Sequence, residues 1–311
     1  MSAAPHSDPT FRSYSAGEAK LYASQRLAYS QALYDVVLNH HSSTGGQFDL
    51  VLDCGCGPGR ATVDLARSFD QAIGADPGAA MIGTAQERGG KTKLGEDIRY
   101  VVSAGEEISK IEGLQLELVD LLTAALAAHW FDMTKFWAEA AKVLRPGGTV
   151  ALWTCSSSFC RIYCHPSTPN AGEVRKVLLR IEEKMLAQHR LSGNDMAMNM
   201  YDDLPLPWDV SPPVTAFPQS EYIKHEYDRD GVLSNGVSFF NGSKIYTLAD
   251  IENGGGTASM VTRWRAANPE LVGTDKDVMA VFAREIGKAL GGQDWVESGG
   301  GTAILLFKKS L

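Results

Sequence analysis

The chain is predicted to be an α/β protein built on an open, mostly parallel sheet, and three observations predict it. Short apolar runs alternate with amphipathic stretches through the first half, and a glycine-rich turn, Gly55-Cys56-Gly57-Pro58-Gly59, joins the first run to the first helical stretch. An acid closes each of the first two runs, Asp53 and Asp76. Strand alternating with helix implies parallel strands wound by right-handed crossovers.

Residues 1–15 are polar, carry Pro5 and Pro9 and show no period, so they read as a flexible leader. From Ala16 to Leu38 apolar positions recur near helical spacing, which predicts one or two helices before the Ser/Gly turn at Ser42–Gly46. Strands are expected over Asp49–Asp53, Gln71–Asp76, Ile98–Ser103, Leu118–Ala124 and Thr149–Thr154, the last after a turn at Pro146-Gly147-Gly148. Helices are expected between them at Arg60–Phe69, Ala79–Arg88 and Met133–Leu144.

After Trp153 the alternation stops, and a soft boundary falls near Cys155. Residues 16–154 then form the ligand-binding core, and 155–311 form cap insertions plus a final strand returning to the sheet, expected antiparallel. Within that half, Glu173–Arg190 reads as a charged amphipathic helix and Leu204–Pro218 as a Pro- and Trp-rich loop, with a possible strand at Glu221–Tyr227. Leu248–Ala267 reads as helical material broken at Gly254–Gly256, Lys276–Leu290 as a helix and Thr302–Lys308 as the last strand. Trp208, Phe217, Phe239 and Phe240 suit either a lid or a core.

Composition narrows the function. Among 311 residues, 44% are hydrophobic and 21% charged, the profile of a globular protein. A net charge of −8 repels a phosphate backbone, so no nucleic-acid partner is expected. No apolar run approaches the roughly 20 residues of a membrane span, and Met1–Asp8 lacks the pattern of a secretory signal. A cytoplasmic location, no membrane partner and a monomer or homodimer are therefore expected. Five cysteines imply free thiols in a reducing compartment. Cys155, Cys160, Cys164 and His165 lack paired metal-ligand spacing, so no metal site is expected.

The glycine turn carries the chemistry. A dinucleotide fingerprint would need a small residue at position 60, for close packing beside a pyrophosphate, and that position is Arg60. Glycines at 55, 57 and 59 behind Asp53, with Asp76 placed to accept both ribose hydroxyls, point instead to an adenosine ligand without a diphosphate. Ligands of open α/β sheets bind at the edge where both acids lie.

These residues resemble the class I S-adenosylmethionine-dependent methyltransferases, whose first motif is an acid followed by G-x-G-x-G. More narrowly, Val119–Asp132 and Lys135–Gly148 look like the trans-aconitate methyltransferase group and its fungal relatives. Tyr22 and Arg26 are spaced like a pair that packs over the cofactor in that group, Tyr201–Asp209 resembles its Pro-Trp loop, and Thr257–Trp264 resembles its helix near the substrate pocket. The likeness covers Tyr22–Trp153 well and the rest in outline. It departs at Pro77 and in the third motif, Ser103-Ala104-Gly105-Glu106-Glu107.

The resemblance implies a Rossmann-like sheet with a substrate cap, and S-adenosylmethionine as cofactor. Asp53, Gly55 and Gly57 would hold its amino-acid part, Asp76 its ribose and Met81 its adenine. Ala104, Gly105 or Glu106 would meet the adenine edge, while Ala127 and His129 would line the methyl-donor end. The implied activity is methylation of a small molecule, favoured as carboxyl O-methylation of an organic acid. The alternatives are O- or N-methylation of a secondary metabolite, or a cofactor-binding protein that does not methylate.

A carboxylate acceptor is already ionised at neutral pH, whereas an alcohol or amine would make a base such as His129 useful. His129 is equally readable as a hydrogen-bonded wall residue. Arg263 and Arg265 flank Trp264, and a guanidinium fork suits an anionic acceptor. On one helix they point in different directions, so at most one faces a pocket; Arg263 and Trp264 are the candidates kept.

Overall fold

A computed structural model describes residues 12–25, 28–156 and 163–311. The chain divides into two units, one running to Thr154 and including Tyr201–His225 and Ala303–Leu311, the other comprising Cys155–Met200 and Glu226–Thr302.

In the first unit, helices α1 (Ala16–Gln25) and α2 (Gln31–Ser43) precede the sheet. The Ser30 hydroxyl starts α2 by accepting from the Leu33 amide. The alternation that follows is β1 (Leu50–Cys54), α3 (Arg60–Ala66), β2 (Gln71–Asp76), α4 (Ala79–Arg88), β3 (Arg99–Val102), β4 (Val119–Ala125), α5 (Met133–Val143) and β5 (Leu144–Cys155). Each predicted strand and helix of this half forms, most within a residue or two of its expected bounds. One difference is β5, which includes Pro146-Gly147-Gly148, read from sequence as a turn. The strand absorbs them because its pairing with β4 slips between Val119 and Leu121.

Strand β7 (Ile223–Tyr227) and strand β10 (Thr302–Lys308) complete a seven-stranded sheet of order β3-β2-β1-β4-β5-β10-β7. Pairs β1–β2, β1–β4, β2–β3 and β4–β5 are parallel. The backbone bonds Gly147 N to Lys309 O and Lys309 N to Gly148 O set β10 antiparallel to β5. Every residue of β1 is buried, as a central strand covered on both faces requires. The chain leaves β1 outward through β2 and β3, then returns to β4 on the other side. The carboxyl ends of β1 and β4 therefore bound the crevice at the switch point.

Aromatic packing closes the far side of this unit. Trp137 meets Phe307 and Phe217 at ring centroid distances of 4.7 and 5.4 Å, and its indole N–H donates to Pro205 O. Trp208 packs on Tyr222, which stacks on Phe307. Phe217 is thus a core residue, and Trp208 is partly buried against these rings.

The second unit is organised around a three-stranded sheet, with β9 (Trp295–Gly299) between β6 (Tyr163–Cys164) and β8 (Lys244–Thr247), both antiparallel to it. Its helices are α6 (Ala171–Ile181), α7 (Ser192–Met198), α8 (Leu248–Gly254), α9 (Ser259–Ala267) and α10 (Val278–Ala289). Val174, Leu178, Ile181, Trp264, Phe282 and Ile286 form its core. The helix expected over Glu173–Arg190 stops at Ile181 and continues as a π turn and a 3₁₀ turn. Phe239 is buried and Phe240 stacks face to face on Tyr227 at 3.6 Å. No helix among the described residues is long and apolar enough to cross a membrane.

Candidate active site

Strand β1 ends in Asp53 and Cys54, and the chain then turns through three glycines, Gly55, Gly57 and Gly59, all in the left-handed region with φ of +64°, +52° and +77°. Only glycine takes these angles without steric cost. The three differ in what a side chain would meet. A Cβ on Gly55 would lie 2.5 Å from the Ala127 methyl, and one on Gly59 would lie 2.8 Å from the Tyr100 hydroxyl, so both glycines permit close packing. A Cβ on Gly57 would meet nothing within 4 Å. The loop is thus closed at its two ends and open at its middle.

The two acids do different work. Asp53 is fully buried; Thr62 Oγ1 donates to its Oδ2 at 2.6 Å and Thr123 Oγ1 to its Oδ1 at 2.8 Å. Burial pushes its carboxyl up to about 6, against the two threonine hydroxyls, which favour the anion. Each oxygen of this carboxylate is bonded to a neighbouring element, Oδ2 to α3 and Oδ1 to β4. Asp76 ends β2 and is 9% exposed; its Oδ2 accepts from Gly57 N at 2.9 Å and its Oδ1 from Gly78 N at 2.8 Å. Burial raises its pKa too, opposed by these amides. A carboxylate offers about four acceptor positions, so two remain for a ligand.

Around this pair, Met81 in the first turn of α4 is buried against Tyr14, Ala19 and Tyr22. Arg26 lies outside the described residues. Ala104 is extended and leads into a 3₁₀ turn over Gly105–Lys110. Gly105 is buried, and a Cβ there would lie 3.2 Å from the Phe131 ring. Glu106 Oε1 accepts from Asp132 N at 2.8 Å, tying this turn to the segment that starts α5.

That segment begins at Leu126, which leaves β4 in a left-handed conformation (φ +54°) with its amide bonded to Trp153 O. Ala127 follows against Gly55, and His129 is buried with its Nδ1 2.9 Å from the Tyr201 hydroxyl. The His129 ring also packs against Trp130 at 4.7 Å. Tyr201 is itself left-handed (φ +61°) and buried. Sequence reasoning named His129 but missed Tyr201, 72 positions away. It also missed Thr62, Thr123 and Gly78, the partners of the two acids; no local pattern marks any of them.

Asp53, Gly55, Gly57, Asp76, Ala127 and His129 are all carried by the first unit. Arg263 and Trp264 sit on α9 of the second. The Arg263 Nε donates to His189 O at 2.8 Å and its Nη2 to Asn194 Oδ1 at 2.7 Å, while Trp264 is buried in the unit's core. Arg265 forms a bidentate pair with Asp277 at 2.9 and 3.1 Å.

Residues 52–152, which carry the glycine loop and the acid of β2, match the Methyltransferase domain family. The chain is 31% identical over 136 residues to the Saccharomyces cerevisiae protein named "Probable S-adenosylmethionine-dependent methyltransferase CRG1", covering 44% of this chain and 45% of that one. It is 28% identical over 187 residues to methyltransferase cfoB of Aspergillus candidus, covering 60% and 56%. A solved structure from Anaeromyxobacter dehalogenans, described as "a Putative Type II Methyltransferase", is 25% identical and covers 92% of this chain and 97% of its own, with a TM-score of 0.60. The chain spans about half the length of the curated relatives it matches.

Proposed function

We propose that the chain transfers a methyl group from S-adenosylmethionine to a small molecule, and that the favoured reaction is carboxyl O-methylation of an organic acid. The observation that carries the reading is the open middle of the glycine loop. A Cβ on Gly57 would project into open space, and the amide of the same residue engages the Asp76 carboxylate. This fits a nucleoside with no diphosphate. In this reading the Gly55–Gly57 backbone holds the amino-acid part of the cofactor and Asp76 accepts from the ribose hydroxyls. Met81 and Ala104–Glu106 border the adenine, with Tyr22 beside Met81, and Ala127 and His129 face the reacting end. Asp53 holds β1, α3 and β4 together through Thr62 and Thr123.

The bound cofactor supplies a methyl carbon on a sulfonium, open to in-line displacement. The protein's share is to align the acceptor and exclude water, which can lower the barrier by about 7–11 kcal/mol. Arg263 and Trp264 support the second unit in this reading, since their partners there are already in place. The acidic net charge of −8 favours a small molecule over a nucleic acid as acceptor. The protein is read as a cytoplasmic monomer or homodimer.

Transfer of labelled methyl to a pooled panel of acids, alcohols and amines tests this, with products resolved by mass spectrometry. A product lost on mild alkaline treatment is the expected ester. An alkali-stable ether or methylamine would replace carboxylation with hydroxyl or amine methylation. Cofactor binding with no product across the panel would count for a protein that does not methylate.

A further inference from the structure

Gly74 stands inside the buried strand β2, where a glycine weakens the strand and marks the close approach of another group. That group is Tyr100. In register, Asp53 of β1 pairs with Gly74 of β2, and Gly74 pairs with Tyr100 of β3. Neighbouring strands lie about 4.8 Å apart, so a side chain on β3 reaches the turn after β1 only by crossing β2, and residue 74 leaves that path open. A Cβ on Gly74 would lie 2.7 Å from Tyr100 Cδ1, and one on Gly59, in the loop, 2.8 Å from Tyr100 Oη. One buried ring therefore fills the side-chain space of both glycines.

The ring is also anchored. Tyr100 Oη donates to the carbonyl of Gly89, the C-cap of α4, at 3.0 Å, and Arg88, the last residue of α4, donates from Nε to Pro58 O at 2.7 Å. The other end of α4 adjoins Asp76, whose Oδ1 accepts from Gly78 N. Held from this side, the loop has its amides engaged: Cys56 N donates to Ala75 O, Gly57 N to Asp76 Oδ2 and Gly59 N to Cys56 O. The apparent affinity of a ligand falls with the fraction of molecules already in the binding shape, so a wedge that keeps the loop closed acts on affinity without touching the ligand.

We propose that Tyr100 is a positioning residue for the cofactor loop: its ring, crossing β2 over Gly74 and packed against Gly59, holds the loop in the shape in which the Gly57 amide meets Asp76 before any cofactor arrives. The inference rests on the methyltransferase reading above and adds to it a residue two strands away from β1 that sets cofactor affinity. Gly74 and Tyr100 act as one device, since the ring reaches Gly59 only where position 74 has no side chain.

Hydrogen exchange at the Gly57 and Gly59 amides of the full chain, free of cofactor, reads the loop directly, because both are bonded while it is closed. Tyr100→Phe keeps the wedge and loses the anchor: exchange at these amides quickens about fivefold, the worth of one neutral hydrogen bond, while the Kd for S-adenosylhomocysteine stays within about twofold of native. Tyr100→Leu removes the wedge, and the Kd rises about tenfold as the closed loop falls to roughly a tenth of the population. Gly74→Ala drives the ring aside and opens the loop with Tyr100 intact, and combining it with Tyr100→Leu opens the loop no further than Tyr100→Leu alone, because the clash is gone. Exchange at Leu52, inside buried β1, separates a loosened loop from an unfolded chain. Native Kd and native loop exchange in Tyr100→Leu, loop exchange that rises only in step with Leu52, or a double variant whose losses add would each overturn the inference. A native chain that binds no S-adenosylhomocysteine overturns the cofactor reading, while exchange in the free chain still decides whether Tyr100 holds the loop, so the two failures show separately.

Discussion

Gly57→Ala separates the ligand-binding role of the loop from its folding role. Two glycines of the first unit share the same backbone problem and the same open surroundings. Gly57 has φ +52° and Gly45, after α2, has φ +80°; at neither would a Cβ meet anything within 4 Å. Alanine at either site pays only for the left-handed conformation, about 1–2 kcal/mol. In urea unfolding both variants should therefore lose similar stability. Only at Gly57 does the new methyl project into the proposed cofactor space, where overpacking costs about 1–3 kcal/mol, or roughly a 5- to 150-fold rise in Kd. Calorimetry with S-adenosylhomocysteine should show that rise for Gly57→Ala and none for Gly45→Ala. Equal affinities in the two variants, with the stability loss present in both, would refute the placement of the cofactor over Gly57.

Asp76→Ala should weaken S-adenosylhomocysteine binding by about 1–3 kcal/mol, because the ribose hydroxyls and the Gly57 and Gly78 amides all lose their acceptor; an unchanged Kd would remove Asp76 from the site. Asp53 has its pKa raised by burial to about 6, so the stability attached to it is fully present below its unfolded value and is lost as pH rises through 6. Asp53→Asn, neutral and nearly isosteric with the protonated acid, should gain on the native protein above pH 6, by an amount on the order of 3 kcal/mol, and the gap should close toward pH 4. His41, pushed down to about 4 by burial, has the opposite sign: stability present at neutral pH is lost as pH falls from 6.5 through 4. The two oppose each other in one window, so each is read from its own variant rather than from the native curve. In the second unit, Asp277→Ala removes the cap of α10 and the partner of Arg265, and should cost about 2–3 kcal/mol in urea unfolding; a loss under 0.5 kcal/mol would contradict the geometry.

The first half was legible because its signals are local. Leu50–Asp53 and Gln71–Asp76 are short apolar runs ended by an acid and punctuated by glycine or proline, and a strand buried on both faces reads that way. The second unit resisted because its strands carry little pattern. Strand β6 is two residues long, β8 is largely exposed, and β9 follows a glycine pair at 291–292 and ends in the first glycine of the run 299–301. Within the site, residue types that act through backbone shape were readable: the glycine spacing announced the loop. Side chains that act through distant partners were not. Nothing near Asp53 in the sequence says that two threonines would engage its oxygens, and nothing near His129 names Tyr201. Trp264 looked like a pocket residue by resemblance, yet its bulk fills the core between the helices of the second unit.

The central claim is that the glycine loop and Asp76 hold S-adenosylmethionine. Titration calorimetry of the native chain with S-adenosylhomocysteine and, separately, with NAD puts it to the test. Saturable binding of one S-adenosylhomocysteine per chain, with no heat from NAD, is the predicted result. Tight NAD binding with no affinity for S-adenosylhomocysteine would contradict it and return the loop to the dinucleotide class that Arg60 argued against.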